Sequence, residues 1–142
     1  MRPMPTEAEI FESAATIVEG VLKMPVLDRH KRDLISGMLW VITEARGKYK
    51  TRYRSKASLQ LPKPKLHHEH VFTRKDLTDQ IMKDPARARQ ILSQAVGCVV
   101  TVEEHRLLAK AERENPTLRG WERYTAAGIE WLDTDNLPRP GA

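Results

Sequence analysis

At 142 residues, 40% hydrophobic and 30% charged, the chain is long enough to bury a core as one domain. It contains no apolar run near the roughly 20 residues a membrane helix needs, and its opening "MRPMPTEAEIF" has no apolar signal region. The single cysteine, Cys98, excludes an intrachain disulfide, and these features together predict a reducing, cytoplasmic location. The net charge of +5 is unevenly spread: residues 46–75 hold ten Lys/Arg against one acid, Glu69, so this stretch is +9 and the remainder −4.

Thr6–Glu9, "TEAE", reads as a capping box, and Ile10, Phe11, Ala14, Ile17, Val18, Val21 and Leu22 then recur at helical spacing up to Pro25. A second helix starts near Asp28, carries Leu34, Ile35, Met38, Leu39 and Ile42 on one stripe, and ends around Gly47. Residues 1–47 are thus expected to form a helical hairpin, with His30 exposed in the charged first turn of its second helix.

Residues 48–65 form a basic segment. Its first part, "KYKTRYRSKASLQ", fits either a helical extension or an exposed strand. "LPKPK" is expected to be extended, because each proline disfavours helical geometry in its predecessor. It leads into "LHHEHVFT", which holds three of the five histidines and reads as a short strand. Thr73–Asp76 is a second capping signature, opening a helix over Leu77, Ile81 and Met82. Pro85 opens another over Ile91, Leu92 and Val96, which Gly97 is expected to end.

"CVVT" is β-branched and short, a buried strand in which Cys98 is an inert thiol. Thr101–Glu104 caps a further helix carrying His105 near its start, and Pro116 closes it. Trp121, Tyr124 and Trp131 in the 117–132 segment read as core packing with polar edges, and "DTDNLPRPGA" as a frayed tail.

A basic block beside an acidic body points to a polyanionic partner, nucleic acid first, through Lys48, Lys50, Arg52, Arg54, Lys56, Lys63, Lys65, Arg74 and Lys75. The same block also fits a merely solvated positive face or an acidic protein partner. The histidines have alternatives too. They fit a surface or hinge cluster, or a structural zinc site built from His68, His70, Cys98 and His105. On an extended strand, however, His68 and His70 share one face while His67 and Glu69 share the other.

The order of strand with histidines, helical insert, short strand and capped helix resembles the HNH nucleases, which share the ββα-metal fold. "HEHV" at His68–Val71 and "CVVTVEEH" at Cys98–His105 carry the resemblance, which spans roughly residues 66–110 within an expected ββα-metal element at 66–112. It implies His70 as general base, Glu69 and His105 as metal ligands with His68 beside them, and magnesium, manganese or nickel as the ion, with zinc as a further option.

The chemistry suits these residue types. Hydrolysing a phosphodiester takes a water activated near neutral pH and a cation facing the charge that develops on phosphate. The family's loop asparagine has no counterpart between Val71 and Gly97, and Glu69 stands where Asp or His is commoner. The expectation is therefore a single mainly helical α+β domain, 1–142, acting as a metal-dependent endonuclease on DNA or RNA. The alternative is a non-catalytic nucleic-acid-binding or inhibitory module.

Overall fold

Apolar residues spaced by three and four dictate the first two helices. α1 runs Glu7–Lys23 and starts where the Thr6 hydroxyl accepts from the Glu9 amide at 3.1 Å. α2 runs Asp28–Thr43, and Gly47, at φ 112°, turns the chain out of the helical region. α3, Arg74–Lys83, starts at the predicted cap, where Thr73 accepts from the Asp76 amide at 3.1 Å. A 3₁₀ turn at Pro85–Arg87 leads into α4, Ala88–Leu92.

These four helices share one core, in which Val18, Ile35, Leu39, Leu77, Ile81 and Leu92 are almost fully buried. Truncating any of the leucines or isoleucines to Ala costs about 2–5 kcal/mol at such sites. Polar contacts fix the register of α2 on α3: Arg32 pairs with Asp79, and Arg74 donates to Ser36 Oγ at 3.1 Å and lies over the Trp40 ring.

The remaining elements build a small sheet. They are β1 (Tyr53–Ser55), β2 (Leu66–His70), β3 (Gly97–Thr101), α5 (Val102–Glu114), α6 (Trp121–Ala126) and β4 (Trp131–Asp133). The strand order is β2-β3-β1-β4, with β3 antiparallel to β2 and parallel to β1. Every residue of β3 is buried, as its β-branched composition leads one to expect.

The computed structural model describes residues 3–137, and among these the chain is mainly helical α+β with six α-helices and one four-stranded sheet. No described helix is long and apolar enough to cross a membrane. The chain forms two compact units, each drawn from two stretches: 3–46 with 72–96, and 47–71 with 97–137. The helical hairpin thus shares its unit with the insert, and the basic segment shares its unit with the ββα order of β2, β3 and α5.

Three local expectations are corrected. "KPK" at Lys63–Lys65 is a 3₁₀ turn, with the Lys65 amide on the Pro62 carbonyl at 2.9 Å. A single turn leaves its first residues without amide partners, so Pro64 loses nothing there. Gly97 does not end a helix. It opens β3, and a Cβ there would lie 2.8 Å from Cε1 of His68 and 3.0 Å from Cγ2 of Thr51.

The third correction concerns the tail. Residues 133–136 are tied down, because Arg52 grips the Asp133 carboxylate with two bonds of 2.8 and 2.9 Å and Thr134–Asn136 forms a 3₁₀ turn. The rest of that tail, 138–142, lies outside the described residues. Trp121 and Trp131 stack at 3.9 Å with Tyr53 edge-on to both, while Tyr124 is fully buried.

Candidate metal centre

Alternation along β2 sorts its five side chains. Because directly opposed residues of an antiparallel pair share a face, the register Glu69↔Cys98 and His67↔Val100 puts His67, Glu69, Cys98 and Val100 on one side. His68 and His70 fall on the other, opposite Val99 and Gly97.

α5 rises on the Glu69 side, and its start is held firmly. Thr101 accepts from the Glu104 amide at 3.0 Å, and Glu104 returns to accept from the Thr101 amide at 2.9 Å. The same Glu104 carboxylate accepts from the Ser55 hydroxyl of β1. The next residue, His105, is thereby fixed over the sheet, and its Nδ1 meets Oε1 of Glu69.

His67 completes the group. Its Nε2 lies 3.4 Å from the same Glu69 oxygen, and its ring stacks on that of His105 at 3.8 Å between centroids. One donor atom from each of His67, Glu69 and His105 lies within 4.8 Å of the others. The carboxylate side chain is 12% exposed and each imidazole 42%, so the acid is sheltered while the rings are open to solvent. Burial holds the His67 pKa below the usual histidine value, although Glu69 pulls it upward.

Two imidazole nitrogens and one carboxylate oxygen, two donors from β2 and one from α5, suit a first-row divalent ion. Three protein ligands also leave coordination positions for water or substrate, as catalytic sites do and closed structural sites do not. The cluster can therefore hold a metal ion.

Of the ligands expected from sequence, Glu69 and His105 are brought together, and His68 is not. His68 is buried on the opposite face, where its Nδ1 meets the Lys48 carbonyl at 2.6 Å. His70 is on that face too, with its ring edge-on to His68 at 5.4 Å. β2 ends there because the buried Arg123 guanidinium donates to the carbonyls of His70 and Val71.

The set of His68, His70, Cys98 and His105 is split across the two faces and does not assemble. Cys98 is instead a packed thiol against Tyr124, and burial pushes it up to about 12. The residue missed in sequence is His67. Period-two alternation put it beside Glu69, but the resemblance drew attention to its neighbours.

The basic residues divide as well. Lys48, Lys50, Lys63 and Lys65 are exposed. Arg52 is committed to Asp133, Lys56 lies 3.7 Å from Glu130, and Arg54 is half-buried and donates to the Ser58 carbonyl at 3.2 Å. Burial lowers the Arg54 pKa. Arg74 and Lys75 belong to the helical unit, the first against Trp40 and the second 3.0 Å from Asp79. Compared with known proteins, the chain matches no family model, no curated protein and no solved structure.

Proposed function

We propose that the chain is a metal-dependent phosphodiesterase acting on nucleic acid, with DNA favoured, and that His67, Glu69 and His105 hold its ion. The observation that supports this most is the meeting of Glu69 from β2 with His105 from α5 over a two-stranded antiparallel pair that runs directly into that helix. This is the strand–strand–helix order that the HNH resemblance implied.

The nitrogen-rich donor set favours manganese, nickel or zinc over magnesium, which prefers oxygen. Once bound, such an ion supplies Lewis acidity toward a phosphate oxygen and lowers the pKa of a water. The chain's own residues do the rest. Glu69 supplies the charge that keeps a divalent cation in place. The Glu104 cap and the His67–His105 stack set the direction of the imidazoles, and the open side of the rings admits substrate. Lys63 and Lys65, in the turn just before β2, supply exposed charge for flanking phosphates.

Metal titration by calorimetry, alongside nicking of supercoiled plasmid with manganese, nickel, zinc or magnesium, tests the reading. Binding of one ion with metal-dependent nicking supports it. Absence of both in the wild type overturns it.

A second reading has its own observation. Arg52, Arg54 and Lys56 spend their charge inside the sheet unit, and His70 lies across the strand from the triad. A non-catalytic metal-holding module would bind one ion in the same titration and nick nothing.

A further inference from the structure

Tyr124, on α6, is the largest side chain that the described chain buries completely. Its backbone and ring are both held. One residue earlier, the Arg123 guanidinium donates to the carbonyls of His70 and Val71, which pins α6 to the end of β2. The Tyr124 carbonyl accepts from the Ile129 amide at 2.9 Å, and the ring lies 5.0 Å from that of Trp121.

The phenol oxygen is less well served. It meets the Cys98 thiol and makes no hydrogen bond to nitrogen or oxygen among the described residues. A buried tyrosine ordinarily finds such a partner, and a thiol is a weak one. Packing explains an aromatic ring at this position, and phenylalanine has the same ring. The hydroxyl is left to explain.

A strong acceptor stands beside the thiol. Cys98 and Glu69 are directly opposed in the register of β3 on β2, so their side chains are neighbours on one face of the sheet. Burial raises the Tyr124 pKa, and Cys98 and Glu69 add to the rise. The phenol therefore stays protonated, available as a donor, with the Glu69 carboxylate in electrostatic reach. His67 and His105 both use Oε1 of that carboxylate, which leaves Oε2 for another donor.

We propose that Tyr124 is a positioning residue of the metal centre: its hydroxyl donates to Oε2 of Glu69 when an ion draws on Oε1, and so holds the carboxylate toward the ion. The inference rests on the metal-holding part of the reading above and not on nicking. Carboxylates that ligate metals are themselves hydrogen-bonded from behind. An O–H···O⁻ bond is roughly twice as strong as a neutral one, so Glu69 is a better partner for the hydroxyl than the thiol is.

The test is nickel titration by calorimetry on the full chain, with thermal melts in chelator. Tyr124→Phe removes one oxygen and keeps the ring. It should bind nickel about 10–100-fold more weakly, the usual cost of losing a partner behind a ligand. Its melt in chelator should match the wild type or rise, because the hydroxyl has only a thiol to lose there. Cys98→Ala should bind nickel as the wild type does. In a Glu69→Gln background, Tyr124→Phe should make no further difference.

Wild-type nickel affinity in Tyr124→Phe overturns this inference alone. So does weaker binding accompanied by a lower melt in chelator, or an equal loss in Cys98→Ala, since either assigns the phenol to packing. A wild type that binds no nickel overturns the inference together with the metal centre. Should Tyr124→Phe not fold, the tyrosine bands of the wild-type ultraviolet resonance Raman spectrum decide. A shift toward stronger hydrogen-bond donation on adding nickel, missing in Glu69→Gln, supports the proposal, and no shift overturns it.

Discussion

The two faces of β2 carry the same residue type to opposite ends. On one face, His67 stands beside Glu69 with its ring open to solvent and its nitrogen aimed at a carboxylate shared with His105. On the other, His68 is buried against the Lys48 carbonyl and so near Gly97 that only glycine fits. Both are imidazoles one residue apart. What differs is the surroundings: a carboxylate and a helix start on one side, backbone and a glycine on the other. A histidine cluster in sequence is therefore not one site. Strand alternation divides it into a part suited to chemistry and a part that holds the strand in place.

The largest effect is expected on the first face. Glu69→Gln keeps the shape of the side chain and removes its charge. Metal affinity should fall at least about 100-fold and nicking with it, while the thermal melt shifts little. His67→Ala should weaken metal affinity about 10–100-fold, and His70→Ala should leave it unchanged. Calorimetry on this pair breaks the comparison if the order is reversed. A 10²–10⁴-fold loss of nicking in His70→Ala at unchanged metal affinity would return the general base to the second face.

On the second face the expected loss is in stability. Gly97→Ala pushes a methyl group into the His68 imidazole and should cost about 1–3 kcal/mol in denaturant unfolding, without altering metal affinity. Adding His68→Ala should recover part of that loss. Recovery of nothing would mean that Thr51, not His68, sets the limit.

A smaller effect comes from Cys98, which shares the Glu69 face without being a ligand. Its folded pKa is raised by burial to about 12, above the unfolded value of about 8.5. The stabilising contribution of the neutral thiol is thus complete below about pH 8.5 and is lost as pH climbs toward 12, by up to about 1.4 kcal/mol per pH unit. Burial raises Tyr124 as well, which acts in the same direction at still higher pH. Melts of the wild type should therefore fall between pH 9 and 11 more steeply than melts of Cys98→Ala, and the metal affinity of the two should match. A Cys98→Ala protein that loses metal would place the thiol in the site.

The smallest change in stability, within about 0.5 kcal/mol, is expected for Lys50, Lys63 and Lys65 replaced together by Gln, because exposed charges add little to folding. Their test is nucleic-acid binding against salt. The slope of log affinity on log salt should flatten by about one unit for each phosphate that the triple variant no longer neutralises. An unchanged slope would leave the exposed lysines without a polyanion.

Much of the helical framework was legible because caps and periodicity are local. Thr6, Thr73 and Thr101 each start a helix where their sequence says, and Thr101–Glu104 closes the full reciprocal box. "KYKTRYRSKASLQ" was not legible. Its strand exists only through pairing with β3 and β4, partners distant in sequence that no local pattern announces. Glu69 and His105 were legible as a pair only through the resemblance of "HEHV" and "CVVTVEEH" to the HNH pattern. His67 was legible in principle from alternation alone. Nothing local shows that Gly97 serves His68 or that Arg123 serves the end of β2, since both roles depend on which backbone passes nearby.

The interleaving of the two units sets an order of events during synthesis. β1 and β2 emerge early, but their common neighbour is β3, so neither has its partner until Thr101 has been made. The insert 72–96 is translated in between, and it can settle on the waiting hairpin and complete the helical core first. At about 5–20 residues per second the two strands remain unpaired for some seconds. A bare β-edge of that age invites aggregation in most sequences. Here it is "LHHEH" flanked by Lys63 and Lys65, polar enough to wait in water. Two of the three residues of the candidate metal cluster, His67 and Glu69, thus belong to a strand that is polar while it still lacks its partner.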